Sequence, residues 1–302
     1  MKPARSGRDR SRASSESSER IAAVDARRRP PGESGIAYYF PVAVVILFLI
    51  PLLIMPIFAV FWFAFHAGPA RFIAALTTPE ASFALRLSLM VALLTSGVNL
   101  VLGTLTAYVL SKYRFPLKNA FSIVVNLPVA IPTVVVGTSL LLLWGPIGLL
   151  GRVLEERFGV QPMFSAGGII LAHLFVTFPY MLGGVKPVLD EVEVTYEEAA
   201  YTMGASRLKT FFYVILPALK GGILTGTLLT FAHSLGEFGA TVMVSGNLRM
   251  QTQTAPLYIY AMFEAGRLDA ANAVAAVLAI FSFVIFFAVV HFTEKERASS
   301  RR

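Results

Sequence analysis

Few side chains in this sequence could do chemistry, and the densest group stands in one polar stretch, Glu197 to Pro217, EEAAYTMGASRLKTFFYVILP, between two strongly apolar segments. Its carboxylates and cations form no Ser-His-Asp or paired-carboxylate arrangement. The nearest approach to a phosphate loop, Gly204-Ala205-Ser206-Arg207-Leu208-Lys209-Thr210, lacks the second glycine of G-x-x-x-x-G-K-[ST], so the chain is not expected to hydrolyse ATP or to be an enzyme. Recognition is what the spacing suits. Glu198-Ala199-Ala200 precedes Gly204, which can take the positive φ that ends one short helix. Ser206 is placed to cap a second. Arg207 and Lys209 then share that second helix with Phe211, Phe212 and Val214, one basic side and one apolar side. Alanines at 199 and 200 let another backbone come close, and Pro217 suits the first turn of the next helix.

Other reactive groups are sparse. Histidines stand at 66, 173, 233 and 291 without metal-ligand spacing, and cysteine is absent. They are expected to be packing or interfacial residues, and no metal or cofactor is expected on this chain. Glu237, within Gly236-Glu237-Phe238-Gly239, lies about twenty residues past Pro217, roughly 30 Å along a helix and thus in the outer part of a span. An ionisable group at that depth is a functional candidate by default. Its expected role is bracing by hydrogen bonds to a neighbouring helix, with Gly236 and Gly239 allowing close approach; direct contact with a transported species is the alternative.

The elements that must hold these residues are membrane helices. Of 302 residues, 56% are hydrophobic, 24 are phenylalanine and 15% are charged. The mean hydropathy is +0.67. That composition excludes an ordinary soluble domain. Residues 1–37 hold nine Lys or Arg among serines and acids and read as a disordered basic tail, too long and mixed in charge for a cleavable leader. Arg27-Arg28-Arg29 is a membrane-surface and topology signal, not a nucleic-acid site.

Six spans follow, giving an all-α integral membrane domain over 38–293 with the polar loop at 190–217 and a short tail at 294–302. The first covers 40–65, roughly 39 Å of helix, and Pro41, Pro51 and Pro56 predict irregularity in it. The second covers Leu87–Ser111. Pro128 and Pro132 fall on one face of the third, Asn119–Trp144, and predict a break or kink near mid-membrane, where Thr133 can satisfy a freed carbonyl. A gate-lining kink and a merely packed kink both fit. The fourth, Phe164–Val185, carries Thr177 beside Pro179, and the fifth climbs from Pro217 to Glu237. Residues 246–269 read as an outer loop, and the last span covers Ala270–Phe292. Twenty Lys or Arg lie on the side of the termini and the polar loop and five on the other, so the former side is expected to be cytoplasmic.

The pattern Glu-Ala-Ala, three residues, Gly, nine residues, an aliphatic residue, one residue, Leu-Pro resembles the cytoplasmic signature loop of binding-protein-dependent ABC importer permeases, with Val214 where isoleucine is commoner. The resemblance extends from roughly Ser88 to Phe287. GEFGATVMVSGN followed by TQTAPLYIY resembles the molybdate, tungstate and sulfate branch.

This resemblance implies a type I importer permease architecture in a bacterial or archaeal cytoplasmic membrane. It implies a coupling loop, with Glu198, Ala199, Ala200, Gly204, Arg207 and Pro217, docked on an ATPase dimer that carries ATP and Mg. A solute-binding protein delivers cargo from outside, and a second copy or a related permease completes the pore. It favours the pathway role for Pro128, Pro132, Thr133 and Thr177. The implied cargo is a tetrahedral oxyanion, molybdate or tungstate first and sulfate second; thiamine or iron are alternatives, and an ATP-independent secondary transporter is a further one.

Overall fold

A computed structural model describes the backbone of residues 36–299 and the side chains of 39–291, so the basic tail lies almost wholly outside the described residues. Those residues are helical and contain no strand. Four helices are long and apolar enough to cross a membrane, or six if each of two bent pairs is one span.

Helix α1, Ile36–Phe65, runs unbroken through Pro41, Pro51 and Pro56, and every side chain from Tyr39 to Phe58 is exposed. Residues to Ala59 form one unit and Val60 onward another. In the second unit, α2 (Pro69–Leu76) leads into α3 (Pro79–Lys112). That helix starts eight residues before the predicted span because Thr78 accepts from Ala81 N and Pro79 stands in the first turn.

The centre of this unit is a three-helix packing of α3 with α7 (Ala166–Glu191) and α10 (Lys220–Leu235). Lipid offers no hydrophobic drive between helices, so close backbone contact must supply the attraction, and the sequence provides it with glycine. A Cβ on Gly184 of α7 would lie 2.5 Å from Gly226 Cα of α10, and one on Gly222 would lie 2.7 Å from Gly184 O. Met181, Leu182, Val185 and Leu189 close the adjacent core with Leu110, Ile215 and Leu219.

The third predicted span is broken, as its prolines predict, and the fifth is corrected. In the third, α4 (Lys118–Ala130) and α5 (Thr133–Trp144) are bent by 113° at Ile131-Pro132. Pro128 is buried inside α4, whereas Pro132 is the N-cap of α5, where a missing N–H costs no helix bond. The fifth does not open at Pro217. That residue lies in α9 (Arg207–Ala218), which contains one π turn at Phe211–Ile215 and meets α10 at 68° across Leu219. Helix α10 also stops at Leu235, so Glu237 stands beyond its cap, before α11 (Gly239–Ser245).

The segments between the predicted spans also hold helices. Amphipathic α6, Leu149–Phe158, follows α5. Residues 246–269 are corrected from loop to loop plus helix: α12, Ala255–Glu264, buries Ala255, Leu257, Tyr258 and Met262 and packs on α13 (Leu268–Ser299). The turn before it is fixed by Thr252 Oγ donating to Ser245 O at 2.6 Å and by Ala255 N donating to Ser88 Oγ at 2.7 Å. Helix α13 continues past the predicted end of the membrane domain, through the first part of the predicted tail, to Ser299.

Candidate functional site

The polar loop folds into a hairpin of α8 (Val194–Thr202) and α9, and its turn is built as the sequence predicts. Gly204 has φ 83°. Gly204 N donates to Tyr201 O at 2.9 Å and Ala205 N to Ala200 O at 3.0 Å, the paired bonds of a Schellman end, which needs a left-handed residue at this position. Ser206 Oγ then accepts from Lys209 N at 3.4 Å and starts α9.

This geometry divides the hairpin into an outward and an inward set. Glu198, Ala199, Gly204, Arg207 and Pro217 are exposed, together with Met203 and Leu208 at 82% and 69%. Ala200 is buried, so only one of the two alanines is open to an approaching backbone. Glu197 also turns inward. Its carboxylate meets Lys112 Nζ, the end of α3, at 2.5 Å, with both side chains at least four-fifths covered. Sequence reasoning missed this ion pair. The available signal was two adjacent glutamates on a helix, set about 100° apart, so that only one can face out. Neighbouring contacts complete the junction: Ser111 Oγ donates to Asp190 Oδ1 at 2.6 Å, and the rings of Tyr108 and Phe211 meet edge to face at 5.0 Å.

The predicted pathway residues fall into two places. Pro128 lines a cavity of about 330 Å³ with Asn99, Leu102, Phe175 and Phe178. Beside it Thr177, fully buried, donates to His173 O at 2.7 Å and accepts from Asn99 Nδ2 at 3.0 Å. Asn99 also donates to Leu174 O at 3.2 Å and so supports the α7 backbone ahead of Pro179. Thr133 lies apart from these, against α11, where a Cβ on Gly239 would fall 2.2 Å from its Oγ1. Gly236 has no comparably close neighbour, so only Gly239 serves close approach. Pro132 stands at the same break.

Glu237, expected to brace a neighbouring helix by hydrogen bonds, is engaged by the helix that follows it in the chain. Its Oε1 accepts from Ala240 N at 2.8 Å and caps α11, a placement favoured by the partial positive charge of a helix start.

His173 binds these parts together. Its Nδ1 lies 2.7 Å from Ser234 Oγ on α10 and its Nε2 2.8 Å from Thr241 Oγ1 on α11. Thr241 donates its own proton to Glu237 O, so Nε2 carries the hydrogen and Nδ1 accepts from Ser234. For His173 this is a packing role between helices, held by hydrogen bonds. His173→Leu takes away the acceptor of the buried Ser234 hydroxyl, at about 1–3 kcal/mol, and one of the two bonds of Thr241, which keeps Glu237 O. The purified variant is expected to melt well below wild type, with His173→Gln intermediate; equal melting of all three would show the bridge to be unimportant.

Residues 99–296 match the profile of the family described as binding-protein-dependent transport system inner membrane component. The sulfate transport system permease protein CysW of Synechocystis is 37% identical over 246 residues, covering 82% of this chain and 89% of that one. CysT of Salmonella typhimurium, with the same description, is 33% identical over 269 residues, covering 89% and 95%. Among solved structures, a chain of a bacterial ABC transporter involved in the import of the acidic polysaccharide alginate superimposes with a TM-score of 0.71 at 18% identity, covering 86% of this chain and 95% of that one, a likeness of fold. The α3–α7–α10 core with its α8–α9 hairpin is thus the type I permease fold, and the chain belongs to the binding-protein-dependent inner membrane components, as a permease subunit of an ABC importer.

Proposed function

We propose that this chain forms half of the membrane pathway of an ATP-driven importer for a tetrahedral oxyanion, with sulfate ahead of molybdate and tungstate. The names of the relatives support sulfate, which reverses the order drawn from the sequence. The observation that carries the coupling role is the two-sided hairpin: Glu198, Ala199, Gly204 and Arg207 face outward, while Glu197, Ala200 and Ile215 face the helices.

In this reading the hairpin docks on an ATPase dimer, which holds ATP and Mg. A second copy or a related permease completes the pore, and an extracytoplasmic solute-binding protein delivers the anion. The excess of Lys and Arg supports an orientation with the termini and hairpin in the cytoplasm and α6 and α12 outside. ATP binding draws the ATPases together and tilts the hairpins with their attached helices toward an outward-facing state; hydrolysis restores the inward one. The pathway role of Pro128, Pro132, Thr133 and Thr177 rests on their places at the α4–α5 break and beside α7. Glu237, already engaged by the start of α11, keeps its charge from standing bare before an anion.

The test is reconstitution in lipid discs with the ATPase and binding protein encoded beside this chain, followed by ATPase assays with sulfate, molybdate, tungstate, thiamine and ferric iron. Stimulation by sulfate-loaded binding protein is expected. Stimulation by thiamine or iron alone would overturn the cargo, and failure of any ATPase to associate would overturn the importer role.

A further inference from the structure

We propose that the Lys112–Glu197 ion pair is a strut through which movement of the hairpin enters the membrane core, making the last turn of α3 a further transmission route beside the chain connections from α8 to α7 and from α9 to α10. This rests on the coupling role proposed above. Connectivity routes force from the hairpin through α9 into α10 and through Val192-Glu193 into α7, but the first route passes a π turn and a 68° bend at Leu219 and the second passes a break in the helix at Val192-Glu193. A bent joint transmits a push poorly. The α3 route has no such break: α3 is one helix from Pro79 to Lys112, and it lies in the three-helix centre.

Three contacts converge on its final turn. Tyr108 meets Phe211 at the start of the π turn, Ser111 is bonded to Asp190 at the end of α7, and Lys112 is paired with Glu197 in the first turn of α8. Asp190 is held in turn by Lys186 Nζ at 2.5 Å. The Lys112–Glu197 pair differs from the other described ion pairs in its cover. Its side chains are 16% and 10% exposed, whereas Lys186 and Asp190 are 36% and 45%, Arg152 and Glu156 71% and 60%, and Arg249 and Glu80 66% and 32%. Water screens a covered pair least, so it resists separation most. The adjacent Glu198 is exposed. Neighbouring carboxylates therefore face opposite ways, one toward the outward docking surface and one toward the membrane core. A pull on α8 through the first is delivered to α3 through the second.

The experiment uses the full complex of this chain with its ATPase and binding protein in lipid discs, comparing wild type with Lys112→Glu, Glu197→Lys and the double swap. The readouts are ATPase association and sulfate moved per ATP hydrolysed. Each single variant is expected to keep its ATPase but to lose transport per ATP by about fivefold or more, within the usual range of coupling between sites. The swap is expected to restore at least half of it. A wild-type transport ratio in the single variants would overturn the strut. If the single variants fail to assemble, the swap decides alone: an assembled swap that remains uncoupled overturns it. These outcomes are distinct from failure of the coupling role itself, which would appear as no ATPase bound to the wild-type chain.

Discussion

Gly184→Val is expected to remove nearly all functional transporter from the membrane. A Cβ at 184 would stand 2.5 Å from both the N and Cα of Gly226 and 2.9 Å from Gly222 O, all backbone atoms of α10. Backbone cannot rotate aside as a long side chain can, so α7 and α10 must separate, and the contact that replaces hydrophobic drive in lipid is lost along the crossing. Overpacking of this kind costs about 3 kcal/mol, a large fraction of the total stability of about 5–15 kcal/mol. The neighbouring residue supplies the control. Gly183 lies in the same helix with nothing within 4 Å of its added Cβ. Gly183→Val should therefore keep a melting temperature and yield close to wild type, whereas Gly184→Val loses both. Equal behaviour of the two variants would show that the α7–α10 crossing is looser than these distances require.

Glu198→Lys is expected to abolish coupled transport while leaving the membrane core intact. The side chain is exposed, so the change disturbs no described contact within the chain, and surface substitutions of this kind shift stability by about 0.5 kcal/mol or less. On a docked surface the same reversal breaks a charge contact worth about 2–5 kcal/mol, roughly 30-fold or more in affinity. Melting of the isolated chain should stay at the wild-type value while co-purification of the ATPase and its stimulation by loaded binding protein collapse. Normal uptake by this variant would remove Glu198 from the docking surface. A contrast with Glu197→Lys is built into the hairpin, because that substitution strikes the inward ion pair and is expected to retain the ATPase.

The local parts of this molecule were legible in the sequence, and the long-range parts were not. Gly204 and Ser206 took the positive φ and the capping bond expected of them, since both are decided within a few residues of chain. Pro128 and Pro132 announced a break, but the sequence held nothing to fix it at 113°. That angle depends on where α5 finds a partner, and it finds one where a Cβ on Gly137 would fall 2.8 Å from Ala240 Cα, on a helix about a hundred residues away. Pro217 misled for a related reason. It stands just past the π turn, in the last residues of α9, ahead of the bend into α10 at Leu219.

Polar partners were the least readable. Asn99 meets Thr177 across 78 positions and His173 meets Thr241 across 68, and no periodicity reports such pairs. Glu237 was expected to bond to a neighbouring helix and is engaged three residues along the chain, because the end of α10 at Leu235 puts a residue read as the outer part of one span at the start of the next helix.

The contact between Thr133 and Gly239 sets a rule for insertions and deletions. The breaks at Ile131-Pro132 and at Gly236-Glu237-Phe238 each deliver a new helix start to the same point, where there is room for a hydroxyl on one side and only hydrogen on the other. One residue added to either break would turn the helix that follows by about 100° and advance it by about 1.5 Å, taking its partner out of reach. The two breaks are therefore locked to each other in length although they lie about a hundred residues apart. The segment around α6 carries no such tie to α11 at its exposed tip, where Gly159 has open space around it. Changes in length belong there, and the spacing from Pro132 into α5 and from Leu235 into α11 is where this chain cannot be edited.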